Sequence, residues 1–200
     1  MADEKLLLIG CGILKKEINF LIRKNNWPVE TQFSSSLLHL DFSKLSNHLE
    51  STLHKNKDRK KVAFYGCCHP NIDSMLSREN TPRTFVQNCN EILLGKEVFN
   101  RELEKGAYFL LEDWVKNWQF VITNTFGTKN LELIKEIFHE DRKYLLGIRT
   151  PCSNDYTVEA EKASEMVGLP LEWMDVTLDY LEHTLNLVFT SKMKEFECQN

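Results

Sequence analysis

The chain is poor in the two residues that punctuate loops: its 200 residues include only five prolines, scattered, and eight glycines. This excludes a collagen-like, proline-rich or low-complexity protein and marks no linker between domains. Several short signatures are also missing. There is no CxxC pair, no HExxH, no GxxxxGK[ST] and no ferredoxin-like run of cysteines, which removes the zinc-ribbon, zincin, P-loop and ferredoxin readings. The GCGILKK stretch has Gly10 and Gly12 but lacks the third glycine of a dinucleotide fingerprint, so a tight strand-to-helix turn is the better reading. Cysteine-phosphatase chemistry needs an arginine six residues after the nucleophile; Ser74 stands there after Cys68 and Gly95 after Cys89.

Charge of one sign is lacking too. Twenty-five Lys and Arg against 29 Asp and Glu leave a formal charge of −4, which offers no bulk attraction to a phosphate backbone. The basic run KNKDRKK at 55–61 reads as a solvated turn. The opening MADEKLLLIGCGIL holds too few apolar residues for a signal h-region or a bilayer span. The expectation is a cytoplasmic protein with neither nucleic acid nor membrane as partner. In that reducing compartment six cysteines do not form a disulfide framework, so packing, redox chemistry or metal binding must account for them.

What is present is an ordinary globular composition, 42% hydrophobic and 27% charged, consistent with a single domain over 1–200. Apolar strand-like runs alternate with helix-like runs, the pattern of βαβ units. Strands are expected at 5–10, 29–33, 61–66, 107–111, 143–149 and 170–176. Helices are expected after Gly12, from an N-cap near Ser43, over 84–104, 130–138 and 157–169, and over 179–189 as a terminal packing helix. The expected fold is three-layer α/β, a mainly parallel open sheet of about six strands flanked by helices. In such sheets ligands bind outside the carboxyl ends of the strands.

The cysteines gather at those ends. Cys11 follows the first strand, Cys67 and Cys68 the third, and Cys152 the fifth. His39 follows the second strand, and Cys89 lies at or in the helix after the third. Convergence of Cys11, His39, Cys68 and Cys89 on one sheet edge would supply three thiolates and an imidazole, a donor set suited to Zn²⁺ or an iron–sulfur cluster. Cys67 and His69 are alternate ligands. Taken singly, a free cysteine is more often a small buried hydrophobe than a ligand, and His39 between leucines more often a hydrogen-bonded structural histidine. A Cys68–His69 nucleophile pair is disfavoured because adjacent residues on an extended chain face opposite ways. A Cys67–Cys68 vicinal disulfide, the redox alternative, is strained. Glu112 and Asp113 after the fourth strand read as acid, base or ligand-orienting carboxylates, or, for Asp113, as the cap of a helix starting at Trp114. His48, His54, His139, His183 and Cys198 receive no role.

Several short motifs occur together in order: CGIL followed by Glu17, Leu38-His39, YGxC from Tyr65 to Cys68, Pro82-Arg83, Cys89 ahead of ILLG (92–95), and GxYFLxxxW from Gly106 to Trp114. Their conjunction resembles the domain-of-unknown-function family 1638 over roughly residues 6–118, with a loose match beyond. Carried over residue by residue, the resemblance implies Cys11, His39, Cys68 and Cys89 as the family's positions. It also implies a setting beside corrinoid-dependent methyltransferase systems of anaerobes, with a corrinoid protein or a methyltransferase as partner and corrinoid reached through that partner. The departures are Gln87-Asn88, where members tend to have His-Asp, and Cys68-His69, where they tend to have Cys-Gly. The expected function is a metal-binding protein of anaerobic one-carbon metabolism, with thiol-activating methyl transfer as its chemistry. A non-catalytic accessory of a methyltransferase system is the alternative.

Overall fold

A computed structural model describes residues 5–197 and gives an α/β architecture. Six strands form, all parallel to their neighbours, and they divide into two sheets of three with orders β2-β1-β3 and β4-β5-β6. The strands are β1 (Leu6–Cys11), β2 (Val29–Ser34), β3 (Lys61–Phe64), β4 (Ala107–Leu110), β5 (Tyr144–Arg149) and β6 (Leu171–Asp175). Each falls where the alternating pattern predicts one. The chain forms two compact units. Unit 1 contains the residues up to Leu93 and those from Leu178 onward, and unit 2 contains Leu94–Thr177.

In unit 1, β1 is the central strand and every one of its side chains is buried, as a parallel strand covered on both faces requires. A 3-10 turn, Gly12–Leu14, leads into α1 (Lys15–Lys24), which buries Ile18 and Leu21. Helix α2 (Phe42–Lys55) buries Leu45, Leu49 and Leu53 on one face, as their spacing predicts. Its cap is Asp41, not Ser43: the Lys44 amide donates to Asp41 Oδ1 at 3.0 Å. Helix α3 is Ile72–Arg78.

The helix expected over 84–104 is shorter and broken. Residues 82–84 instead run beside β3, with a parallel bridge from Arg83 to Ala63, an Ala63 amide donating to Pro82 O (2.8 Å) and a Thr84 amide donating to Ala63 O (3.1 Å). The helical part splits into α4 (Cys89–Leu94) and α5 (Lys96–Glu104) at Gly95, whose φ of 74° is glycine territory and cannot continue a helix.

In unit 2, α6 (Glu112–Val115) and α7 (Trp118–Thr125) follow β4, and α8 (Leu131–Asp141) and α9 (Thr157–Val167) flank β5 in sequence. Asp113 lies inside the first turn of α6 and is not its cap. Gly168, in the left-handed region at φ 67°, ends α9 as expected from the GLP sequence. The core joins Leu110, Trp118, Phe138, Leu145, Ala160 and Val167. Helix α10 (Asp179–Glu197) belongs to unit 1, where Leu181 and Leu185 are fully buried and Phe189 meets Trp27 edge-on at 5.1 Å.

Candidate thiol site at the strand ends of unit 1

Two registers set the edge. Cys11, the last residue of β1, pairs with Ser34, the last of β2, while Gly10 pairs with Phe64, the last of β3, which puts Tyr65 on the other flank of Cys11. Side chains in register on parallel strands share a face. The Ser34 and Tyr65 hydroxyls meet at 2.8 Å, and Ser34 Oγ also lies 3.3 Å from Gly10 O.

Beyond Tyr65 the chain is pressed against a second segment. A Cβ at Gly66 would lie 2.3 Å from Gln87 O and 2.9 Å from Asn88 Cα, so only glycine fits. The Cys67 amide donates to Gln87 O (2.7 Å), and Thr84 Oγ1 donates to Tyr65 O (3.0 Å). This seam brings Cys89, the first residue of α4, towards Cys68. The start of α4 is fixed by Asn88, whose Oδ1 accepts from the amides of Asn90 (3.0 Å) and Glu91 (3.1 Å), while Glu91 Oε2 accepts from the Gln87 amide (2.8 Å).

The electrostatics tie four groups together. Burial raises the Tyr65 phenol well above its ordinary range, and the charges of Cys11 and Cys68 raise it further. Burial pushes the Cys89 thiol up to about 12, with Cys68 adding to the rise and the amides at the start of α4 opposing it. Burial likewise raises Cys68, against a backbone hydrogen bond at Gly66 and the cation of Arg83. Tyr65 thus feels Cys11 and Cys68, and Cys89 feels Cys68, residues drawn from a strand end, the bend after β3 and the start of a helix.

The other candidates have surroundings of their own. Cys67, an alternate ligand in the sequence reading, is exposed, and its Sγ lies 3.9 Å from Arg83 Nη2, while Arg83 holds Asp73 through Nε at 2.6 Å and Nη2 at 3.2 Å. His69 Nδ1 accepts from the Asn71 amide (3.0 Å), and its ring stands edge-on to Phe42. His39 lies half-buried in the 3-10 turn Ser36–Leu40 after β2; burial lowers its pKa, leaving the ring neutral at pH 7, the form that can ligate a metal. Cys152 belongs to the other sheet, where its amide donates to Thr150 Oγ1. Glu112, also in unit 2, pairs with Lys116 and accepts from the Asn154 amide. Cys198 lies outside the described residues.

Sequence reasoning missed Tyr65, Ser34 and Arg83 as members of the site. The signal for the first two was available: each ends a strand, or follows one directly, beside a predicted ligand.

As donor types, three sulfurs and a neutral imidazole fit a thiophilic metal. Asn90 Oδ1, on the residue after Cys89, is a buried acceptor without a hydrogen-bond partner among the described residues. The positions fit less completely: no three His, Cys, Asp or Glu side chains among the described residues stand together as a coordination shell. Also among the described residues, no helix is long and apolar enough to cross a membrane.

A family model, described as a protein of unknown function (DUF1638), matches residues 33–185. The matched stretch includes His39, Cys68 and Cys89, begins after Cys11, and runs well into the C-terminal third that the short motifs matched only loosely. No curated protein and no solved structure matches the chain.

Proposed function

For a chain that belongs to the DUF1638 family of proteins of unknown function, we propose that the cluster at the strand ends of unit 1 is a thiol-rich metal site. Cys11, Cys68 and Cys89 are its sulfur donors and His39 its nitrogen donor, with zinc or an iron–sulfur cluster as the occupant. The observation that carries the reading is the placement of three cysteines distant in sequence: Cys11 ends β1 between Ser34 and the strand leading to Tyr65, and the Gly66–Gln87 seam brings the start of α4, with Cys89, against the Cys67–Cys68 bend. Because the donors do not stand as a finished shell, binding draws the Cys67–Cys68 bend inward. Cys11 and Cys89 are held by a strand end and a capped helix start, so that bend is the part that adjusts.

The chain's own contribution follows from burial. Thiols raised by desolvation keep their protons at neutral pH, so only a cation that repays the loss of those protons binds. A zinc ion with an exchangeable position would lower the pKa of a bound substrate thiol, and an iron–sulfur centre would carry an electron. The family resemblance supports a setting in anaerobic one-carbon metabolism linked to corrinoid methyl transfer, with thiol activation as the site's chemistry.

A second reading, a non-catalytic accessory docked on a methyltransferase or corrinoid protein, is favoured by the aromatic side chains near the same loops: Phe85 is 95% exposed and Phe42 56%. Metal analysis of protein purified without oxygen tests the first reading. About one site's worth of metal in the wild type, lost in Cys68→Ser, is expected; a folded wild type that takes up neither zinc nor iron would sink it. Copurification of a corrinoid protein lost on Phe85→Ala would support the accessory reading.

A further inference from the structure

Unit 2 holds an open cavity of about 510 Å³, the size of a small-molecule site, lined by the turn between α6 and α7, the first turns of α7 and the loop after it. In a chain whose formal charge is −4, its lining is a local reversal, with two cations, Lys116 and Lys129, and no carboxylate among the described residues. Lys116 is paired with Glu112, whereas Lys129 enters no ion pair among the described residues. The start of α7 adds to the positive field. Asn117 stands at the cap position without capping, because its Nδ2 turns back to donate to Asp113 O at 3.2 Å. The first three amides of the helix, at Trp118, Gln119 and Phe120, therefore have no acceptor among the described residues. Open amides and ammonium groups in residues lining one cavity favour an anion.

Two aromatic residues of the lining ask for more than an ion. Phe120 is 53% exposed, which leaves ring surface for a planar group to stack on. Trp118 is only 5% exposed and stands edge-on to Tyr108, and its indole Nε1 is a buried donor with no hydrogen-bond partner among the described residues. Native folds leave few such donors unpaired.

We propose that this cavity binds a small monophosphate carrying a planar ring, a molecule of the size of a mononucleotide. The phosphate takes the amides at the start of α7, with Lys129 as its chief counter-charge because Glu112 already shares Lys116. A phosphate suits this set better than a carboxylate, since it brings a second charge and a third terminal oxygen to several donors. The ring lies on Phe120, and the side-chain amides of Gln119 and Asn117, the latter with Oδ1 still open, read its polar edge. A ligand oxygen supplies the acceptor that Trp118 Nε1 lacks. None of these residues belongs to unit 1, so the inference stands apart from the metal reading.

Adenosine monophosphate, adenosine and inorganic phosphate, titrated separately into the full-length chain, are the probes, read by calorimetry and by the NMR signal of the Trp118 indole N–H, which its loss in Trp118→Phe assigns. The monophosphate is expected to saturate one site and to shift that signal, while adenosine and phosphate each bind about 10-fold more weakly or worse. Lys129→Ala is expected to weaken the monophosphate about 10-fold, the worth of one charge-assisted hydrogen bond, and Lys116→Ala to weaken it less. Phe120→Ala is expected to cost about fivefold, the worth of one stacked base, and to leave the affinity for phosphate unchanged. All three positions are exposed, and melting temperatures check that the variants fold. Lys135→Ala, in the exposed pair with Glu132 on α8, serves as the control with no expected effect. Absence of saturable monophosphate binding in the millimolar range would overturn the proposal. So would undiminished affinity in Lys129→Ala, adenosine or phosphate binding as tightly as the monophosphate, or a Trp118 signal that saturation does not move.

Discussion

Cys67 and Cys68 are neighbours in sequence with opposite fates. Cys67 is exposed beside a guanidinium, while Cys68 faces the buried cluster, because the bend at Gly66 is pinned between the Gln87 carbonyl and the chain on either side. Burial dominates the chemistry of the cluster and has a consequence for stability. A free thiol ionises at about 8.5 in the unfolded chain, whereas Cys89 in the folded chain is pushed up to about 12. A raised thiol pKa leaves stability whole below the unfolded value, since both states are then protonated. Stability is lost as pH climbs from there through the folded pKa, since only the unfolded state sheds its proton. Melting temperatures measured with chelator present are expected to fall between about pH 8.5 and 12, and less steeply in Cys89→Ala than in wild type. Equal slopes would show that Cys89 is not desolvated.

Helix α4 is six residues long and would not persist alone; it is held at its start by Asn88 and Glu91 and stopped by Gly95. Its function in the fold is to set where Cys89 begins. Asn88→Ala is expected to cost about 1 kcal/mol, the usual worth of such a cap, and Asn88→Asp to recover most of it. Chemical denaturation measures both. If the start of α4 positions a ligand, Asn88→Ala should also weaken metal binding more than its stability loss explains. Gln87 and Asn88 thus supply a backbone acceptor and a helix cap in this chain. The sequence pattern showed a helix here, but its break was hidden, because ILLGKEVF keeps an apolar periodicity across a glycine whose positive φ only the folded backbone discloses.

Unit 1 is closed by a helix far away in sequence. Helix α10 packs on β3 and α1's neighbourhood through Leu181, Leu185 and Phe189, and Glu182 accepts from Lys24 (2.8 Å) and Asn25 (2.8 Å). The ion pair is largely solvent-facing on its lysine side and contributes little, so the buried leucines bear the load. Leu185→Ala is expected to destabilise by about 3 kcal/mol, through lost burial plus the cavity left behind. Lys24→Ala is expected to cost less than about 1 kcal/mol. Denaturation followed through Trp27, which touches Phe189 in unit 1, reads both; a larger loss for Lys24→Ala would reverse this ordering.

The sequence by itself determined the class of fold, the six strands and the edge at which cysteines accumulate, because period-two and period-3.6 patterns and strand-end positions are local properties of the chain. It also placed Cys11, Cys67, Cys68 and Cys152 at or just after strand ends. Only the tertiary structure decided that the strands split into two sheets, and with them that Cys152 parts from the other three. Strand partnership depends on which buried faces find each other, and no local pattern records that. The same holds for Ser34 and Tyr65: their types are ordinary, and only the register across β2, β1 and β3 brings the two hydroxyls within 2.8 Å of each other.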